Sequence, residues 1–364
     1  FTQSGPYANI NNTEIAQLCQ RRTQPMQQLE FETVEESDIL KLLKTIKSKA
    51  AGSDGITLYM LNLCLPHLLR IITHLINYCI LNSVFPRCWK IAHVIPLNKI
   101  PTPLELRDLR PISILPVLSK VLEKAINTQL TNFLNLNRLI PCNQSGFRAG
   151  YSYATGLLKI TDDIISAIDN RQAVLLILLD YSKAFDTIHH KTLLKIIHSY
   201  GISSKATTFF KNFLQNRQQR VVYNNKKSRY QKIKSGVPQG SILSPTLFSI
   251  YVSNFQNRLK YVNSHFYADD TQLYLPFSPT DVVGACNKIN RDLDLLLKLS
   301  TAHSLKLNPE KSKAILFSSG HVYDSLISNV NISLGNTKIS CSTEEKNLGL
   351  TLDYKLRFKS HISK

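Results

Sequence analysis

Apolar positions along the chain recur with two periods, one of about 3.6 and one of 2, and they mark out helices and strands. After Ser37, the residues Ile39, Leu42, Leu43 and Ile46 share one helical face, and the run Ala-Ala-Gly-Ser-Asp-Gly at 50–55 ends that helix. A second, more apolar helix is expected over about 65–82, and residues 89–97 alternate as a half-buried strand does. Val117, Leu118, Val121, Leu122, Ile126, Leu130, Phe133 and Leu134 trace a single stripe, the mark of an amphipathic helix. Residues 1–30, rich in Gln, Asn and Thr, read as a linker.

The second half changes character. Residues 173–179 are an unbroken apolar run, as expected of a central strand covered on both faces. A strand–turn–strand runs from Arg220 through Asn224-Asn225-Lys226-Lys227 to Ile233, and a helix follows Ser244-Pro245. The pattern then predicts a hairpin over 265–275, a long helix over about 281–302, and short strands near 314–318 and 347–352. No internal repeat is visible. Helices and strands alternate throughout, which makes the expected class mixed α/β (α+β).

Charge narrows the partner. Lys and Arg number 44 against 25 Asp and Glu, a formal +19, so a polyanion is expected, with nucleic acid ahead of an acidic membrane surface. The seven cysteines are odd in number and none sits at C-x-x-C spacing, which argues against a disulfide framework or a zinc site. An intracellular, reducing compartment, nucleus or cytoplasm, fits that usage, and no signal peptide opens the chain. Residues 67–85 are the most membrane-like, but Arg70, His74 and Asn77 interrupt them, and a buried amphipathic helix explains them better. A start at Phe1 and a stop at Lys364 lead us to expect a fragment of a longer polypeptide.

Two acidic features carry the candidate chemistry. The apolar strand 173–179 ends in Asp180, and a carboxylate there is costly to desolvate unless a cation or hydrogen bonds compensate. Taken alone, it is as well explained by a cap. The second feature is Asp269-Asp270, flanked by Phe266, Tyr267, Leu273 and Tyr274 at the tip of the predicted hairpin. Asp-Asp usually marks a solvated turn, but here no Gly or Asn accompanies it to supply left-handed backbone. If the fold joined Asp180, Asp269 and Asp270, they would suit two hard cations, because Mg²⁺ takes oxygen ligands and one or two carboxylates usually suffice. Such ions activate a hydroxyl nucleophile and neutralise a triphosphate, and phosphoryl transfer needs little else beyond positioning.

The same residues resemble a known family. Tyr-Ala-Asp-Asp (267–270) resembles the signature hairpin of reverse transcriptases, and Asp-Tyr-Ser-Lys-Ala-Phe-Asp (180–186) resembles their first metal-binding motif. Ser-Gly-Val-Pro-Gln-Gly-Ser-Ile-Leu-Ser-Pro (235–245) is similar to the motif between them. Gly-Ser-Asp-Gly-Ile (52–56), Leu-Arg-Pro-Ile-Ser (109–113), Gln-Ser-Gly-Phe-Arg (144–148), Leu-Asn-Pro-Glu-Lys-Ser-Lys (307–313) and Leu-Gly-Leu (348–350) resemble segments of non-LTR retrotransposon enzymes. All stand in the family's order over about 37–356, and the style is that of a LINE-type, Jockey-like element.

This resemblance implies a right-hand polymerase fold, with fingers over 31–170, a palm with an antiparallel sheet packed on helices over 171–356, and the start of a thumb at 357–364. It implies that Asp180, Asp269 and Asp270 are catalytic and hold two Mg²⁺ ions, Mn²⁺ being an alternative. Phe185 falls where the family's bulky aromatic residue blocks a ribose 2′-hydroxyl, though core packing explains it equally well. Lys99 and Arg110 match residues that grip the triphosphate. Gln239 and Gly240 match residues along the nucleotide and template, and Lys311 or Lys313 matches a lysine that donates a proton to pyrophosphate. Leu348-Gly349 resembles a primer-grip segment. The implied partners are an RNA template, a DNA primer and dNTPs, with no membrane, and an endonuclease and thumb of the parent polyprotein outside this chain. Lys41, Lys44, Lys47 and Lys49, with Arg217, Arg220, Lys226, Lys227 and Arg229, are further candidates for phosphate contacts. The competing readings are an intron maturase-type reverse transcriptase and a catalytically inactive or host-adopted RNA-binding module.

Overall fold

A computed structural model of the chain describes residues 28–48, 50–148 and 150–363. Most of the linker expected at 1–30, and Lys49, lie outside the described residues. The longer elements, in chain order, are helix α1 (Glu36–Thr45), α2 (Leu58–Leu81), strands β1 (Ile91–Asn98) and β2 (Leu109–Ile114), α3 (Val117–Leu136), α4 (Tyr153–Asp169) and β3 (Ala173–Leu179). They continue with α5 (His190–Ser199), α6 (Ser204–Leu214), β4 (Gln218–Tyr223), β5 (Lys226–Lys227), β6 (Gln231–Lys232), α7 (Leu243–Val252), β7 (Asn263–Tyr267) and β8 (Asp270–Phe277). The last are α8 (Val282–Ala302), β9 (Lys313–Phe317), β10 (Glu344–Asn347) and β11 (Leu350–Asp353). The class is α+β, and the chain divides into two compact units, each made of two stretches of sequence.

The first unit joins the described residues up to Leu139 with Phe185–Tyr251. Its sheet has β1 at the centre, antiparallel to β2 and parallel to β4, with β6 antiparallel to β4. Asn224 and Asn225, both with φ near +50 to +60°, turn the chain from β4 into β5, as the sequence pattern predicts. Phe85, Phe209, Phe210 and Phe213 pack edge to face in the core. Among them lies Arg217, 1% exposed, its guanidinium over the Phe213 ring at 4.9 Å. Burial holds Arg217 down at about 10 and Lys90 at about 8.

Helix α2 begins earlier than expected. Thr57 caps it by accepting from the Met60 N–H at 3.1 Å, so Pro66 sits inside the helix rather than opening it. By length and composition α2 is the one described helix apolar enough to cross a membrane. Ile72, Ile76, Cys79 and Ile80 are buried, while its other face exposes His67, Arg70 and His74 beside Leu63, Ile71 and Tyr78.

Glu123 of α3 is fully buried and organises the loop that precedes α7. Its carboxylate accepts from Ser119 Oγ at 2.9 Å, Ser241 Oγ, Ile242 N–H at 2.7 Å and Leu243 N–H at 3.3 Å. A carboxylate satisfied by several donors at a helix start is one way a buried acid is stabilised.

The second unit joins Ile140–Ala184 with Val252–Lys364. Its sheet is antiparallel throughout, in the order β9-β3-β8-β7. Ile160, Ile164 and Ala167 of α4 pack on Val174, Leu176, Tyr274, Ile315 and Phe317. Six of the seven β3 residues are fully buried, as a central strand covered on both faces must be. The strand expected near 347–352 is instead a hairpin: β10 and β11 pair there, and Leu348 (φ +48°) and Gly349 (φ +93°) form its turn. Leu348 supplies no turn signal of its own, so residues 347–352 share one continuous alternating pattern.

Replacing Glu123 by Gln removes the charge from a group of donors arranged for it and should lower the unfolding free energy by about 2–4 kcal/mol. The measurement is the urea midpoint, and an unchanged midpoint would contradict this account.

Candidate active site

The apolar run of β3, an interior strand, delivers Asp180 just past its C-terminal end. The ladder pairs Leu179 with Thr271, so the next position of β3 stands beside Asp270, which itself closes the β7–β8 hairpin opposite Tyr267. The Asp180 carbonyl accepts from the Asn308 N–H at 2.8 Å, which fixes the exit of the strand. Ala268 and Asp269 are the two turn residues, and Ala268 takes φ +58° although it has a Cβ. Left-handed backbone at a non-glycine residue persists only where its surroundings enforce it. Here the surroundings are the segment 143–146: Phe266 N–H donates to the Asn143 carbonyl at 2.8 Å and Ser145 N–H to the Phe266 carbonyl at 2.9 Å. A Cβ on Gly146 would lie 2.2 Å from the Ala268 nitrogen, so only glycine lets the two backbones touch.

Asp180 and Asp270 line one cavity of about 130 Å³. Lys311 and Lys346 line it too, with Thr271, Gln272, Asn347 and Leu348. The structure thus distinguishes the two lysines of the 307–313 motif: Lys311 reaches the cavity, whereas Lys313 Nζ donates to Ser340 Oγ at 3.1 Å. Asp269 is half-buried on the turn and is not part of that lining. Among the described residues no three His, Cys, Asp or Glu side chains gather as a metal-holding group. Two carboxylates with oxygen donors and open space between walls fit an ion such as Mg²⁺, which keeps water or phosphate as most of its ligands.

Beneath the hairpin, His265 bridges two strands and a loop. One ring nitrogen, Nε2, lies 2.9 Å from Ser145 Oγ, and Nδ1 lies 2.8 Å from Gln272 Oε1. Burial is the main force lowering its pKa, Lys159 adds to it, and the Gln272 bond opposes it.

In the first unit, the sequence-predicted residues form a separate group. Lys99 and Arg110 stand at the end of the β1–β2 hairpin, where Leu97 pairs with Arg110. Arg110 is exposed, while Lys99 Nζ donates to the Arg107 carbonyl at 2.9 Å. Phe185 is stacked on Phe248, with centroids 4.6 Å apart, and its carbonyl accepts from the Val237 N–H at 2.8 Å. Gln239 Nε2 donates to Asp186 Oδ1 at 2.9 Å. Gly240, at φ +130°, makes its close approach to β2: a Cβ there would lie 2.4 Å from the Ser113 carbonyl oxygen. Ser113 N–H in turn donates to the Gln239 carbonyl at 2.7 Å. The Pro-Gln-Gly segment is therefore pinned between Asp186 and β2.

The profile of the family described as reverse transcriptase (RNA-dependent DNA polymerase) matches residues 99–352, which include both groups. The chain belongs to the reverse transcriptase family. It is 28% identical over 331 residues to the RNA-directed DNA polymerase from mobile element jockey of Drosophila melanogaster, covering 86% of this chain and 34% of that protein. It is 27% identical over 353 residues to the probable RNA-directed DNA polymerase from transposon BS of the same fly, covering 92% and 37%. A 237-residue match at 30% identity to the probable RNA-directed DNA polymerase from transposon X-element covers 65% and 26%. The chain spans about a third of the length of the curated relatives it matches.

Lys346, Gln272, Asn347 and Glu123 were not singled out from the sequence of this reverse transcriptase chain. Lys346 precedes Leu348-Gly349, so its place beside that turn was a usable signal. For the buried amides and Glu123 no local pattern distinguishes them from surface polar residues.

Burial also lowers His190 and His303, the latter to about 4. Above the ordinary histidine value of about 6.5 native and unfolded chains both leave these rings neutral, and their stabilising effect is complete. Below it the unfolded chain takes up protons that the native chain refuses, so stability falls until the native rings titrate. From pH 8 to 7 only the shallow end of the Lys90 titration should lower the urea midpoint, and the decline should steepen from 6.5 downward; a midpoint with no such steepening to pH 5 would overturn the assignment.

Proposed function

We propose that this chain is the core of a LINE-type, Jockey-like retrotransposon polymerase that copies an RNA template onto a primer 3′-hydroxyl. The observation that carries the reading is the cavity shared by Asp180 and Asp270, with Lys311 and Lys346 beside them. Paired acids with adjacent cations suit a triphosphate and its metal, and phosphoryl transfer is largely positioning and charge neutralisation.

In this reading the antiparallel sheet of the second unit is the palm, and the β1–β2 hairpin belongs to the fingers. Asp180 and Asp270, with Asp269 on the same turn, would hold Mg²⁺. The metal, when bound, acidifies the primer hydroxyl and neutralises charge on the leaving pyrophosphate. Lys311 supplies a positive charge and a proton for that leaving group. Arg110 and Lys99 bind triphosphate oxygens, for which Lys99 must exchange its bond to the Arg107 carbonyl. Gln239 acts through Asp186, holding the segment after Phe185, and Phe185 excludes a ribose 2′-hydroxyl. The relatives' names, which specify RNA-directed DNA polymerases, favour this reading over an RNA-binding module.

The chain, or the longer polypeptide if its reading frame continues, should extend oligo(dT) on poly(rA) with dTTP in Mg²⁺. Extension should vanish with chelator or in Asp180→Asn. RNA binding without any extension by the unsubstituted protein would replace this reading with a binding module. In the same assay Phe185→Val should raise ribonucleotide incorporation at least several-fold. Unchanged discrimination would leave Phe185 as the packing partner of Phe248 alone.

A further inference from the structure

Four polar side chains, each 3% exposed or less, form one continuous chain under the β7–β8 hairpin: Ser145, His265, Gln272 and Asn347. Ser145 comes from the segment that backs the turn. His265 and Gln272 are cross-strand partners two positions from the closing pair Tyr267 and Asp270. Asn347 ends β10 and lines the cavity with Lys346 and Leu348.

The chain has one direction. Gln272 Nε2 donates to Asn347 Oδ1 at 3.1 Å, which turns Gln272 Oε1 towards His265. His265 then donates from Nδ1, at 2.8 Å, and while burial keeps the ring neutral its Nε2 accepts from the Ser145 hydroxyl at 2.9 Å. An imidazole with a proton on Nδ1 meets both demands, and an apolar residue meets neither. The ring is held from behind by Gly156, where a Cβ would lie 2.5 Å from His265 Cε1. At the far end Asn347 Nδ2 has no hydrogen-bond partner among the described residues. A buried donor left so is costly, a penalty that an apolar residue at that position would have avoided.

We propose that His265 is a positioning residue for the phosphoryl-transfer cavity, tying the hairpin that carries Asp269 and Asp270 to the Lys346–Asn347 wall opposite. It rests on the polymerase reading for its substrate, but the geometry it fixes belongs to the acids themselves. Groups that orient metal-binding carboxylates through a hydrogen bond commonly change affinity or rate by about 10–100-fold when removed.

The test compares unsubstituted protein with His265→Leu and Ser145→Ala, each checked by its urea midpoint. Single-turnover dTTP addition gives kcat and KM, and water-proton relaxation gives the Kd of Mn²⁺ without any turnover. Loss of the relay should lower kcat about 10–100-fold, leave the KM for dTTP within about twofold, and weaken Mn²⁺ binding about tenfold. Should His265→Leu fail to fold, Ser145→Ala, which deletes one hydroxyl, decides the matter. Variants that fold and match the unsubstituted protein in both kcat and Mn²⁺ binding would overturn the proposal. An unsubstituted protein that binds Mn²⁺ yet adds no nucleotide would instead sink the polymerase reading, and the Mn²⁺ comparison would still judge the relay.

Discussion

The structure around the acids depends on a single register. β3 is so apolar that its burial between β8 and β9 is strongly favoured, and each side chain has a face it must occupy. A slip of one residue would turn Val174 and Leu176 away from α4 and carry Asp180 past Asp270. The hydrophobic cost of misalignment thus fixes where the first polar residue emerges. Burial of leucine and isoleucine sets the position of a carboxylate, with no ion needed to hold the strand in place.

Much of what looks like ligand-binding sequence first serves as backbone joinery. Gly146 lies against Ala268, Gly236 against Asp186 and Gly240 against Ser113, each where a Cβ would come within 2.6 Å of backbone atoms. Two buried acids do related work. Glu123 gathers the donors at the start of α7, and Asp292 of α8 accepts three successive N–H groups from Lys260, Tyr261 and Val262. In each case a side-chain oxygen replaces a ladder or helix partner and allows irregular backbone to be buried. The loops at the start of α7 and at 260–262 have their backbone N–H groups satisfied for that reason.

This division explains what could be read from the sequence. The β3 run, the α3 stripe and the 263–277 hairpin were legible because periodicity reports burial directly, and burial is what those segments share. The start of α2 was not, because Thr57 caps it eight residues before the strongest apolar run. The hairpin at 344–353 read as one strand because its turn opens with Leu348, whose positive φ is imposed by context. Asp180 and Asp270 were recognisable as types of residue, but their common cavity is a property of pairing between distant strands. The Ser145–His265–Gln272–Asn347 chain was invisible for a stronger reason: its members come from four segments, and although Ser145 falls within the 144–148 motif, nothing local shows that the four meet.

Charge adds a constraint that acts on the whole sequence. Between Asp186 and Asp269 there is no acidic residue at all, although Lys and Arg recur throughout that stretch. Even the buried positions follow the trend, since Lys90 and Arg217 sit in the first unit's core, where burial and then the Arg217 charge lower the Lys90 pKa. A fold maximising its own stability would not bury two cations so close together. The acids that do occur nearby are committed: Glu123 to α7, Asp186 to Gln239. Exposed cations such as Lys226, Lys227, Arg229 and Lys232 therefore have few carboxylates to pair with, and their field extends into solvent unneutralised. Such a surface favours a polyanion held by its phosphates in any sequence.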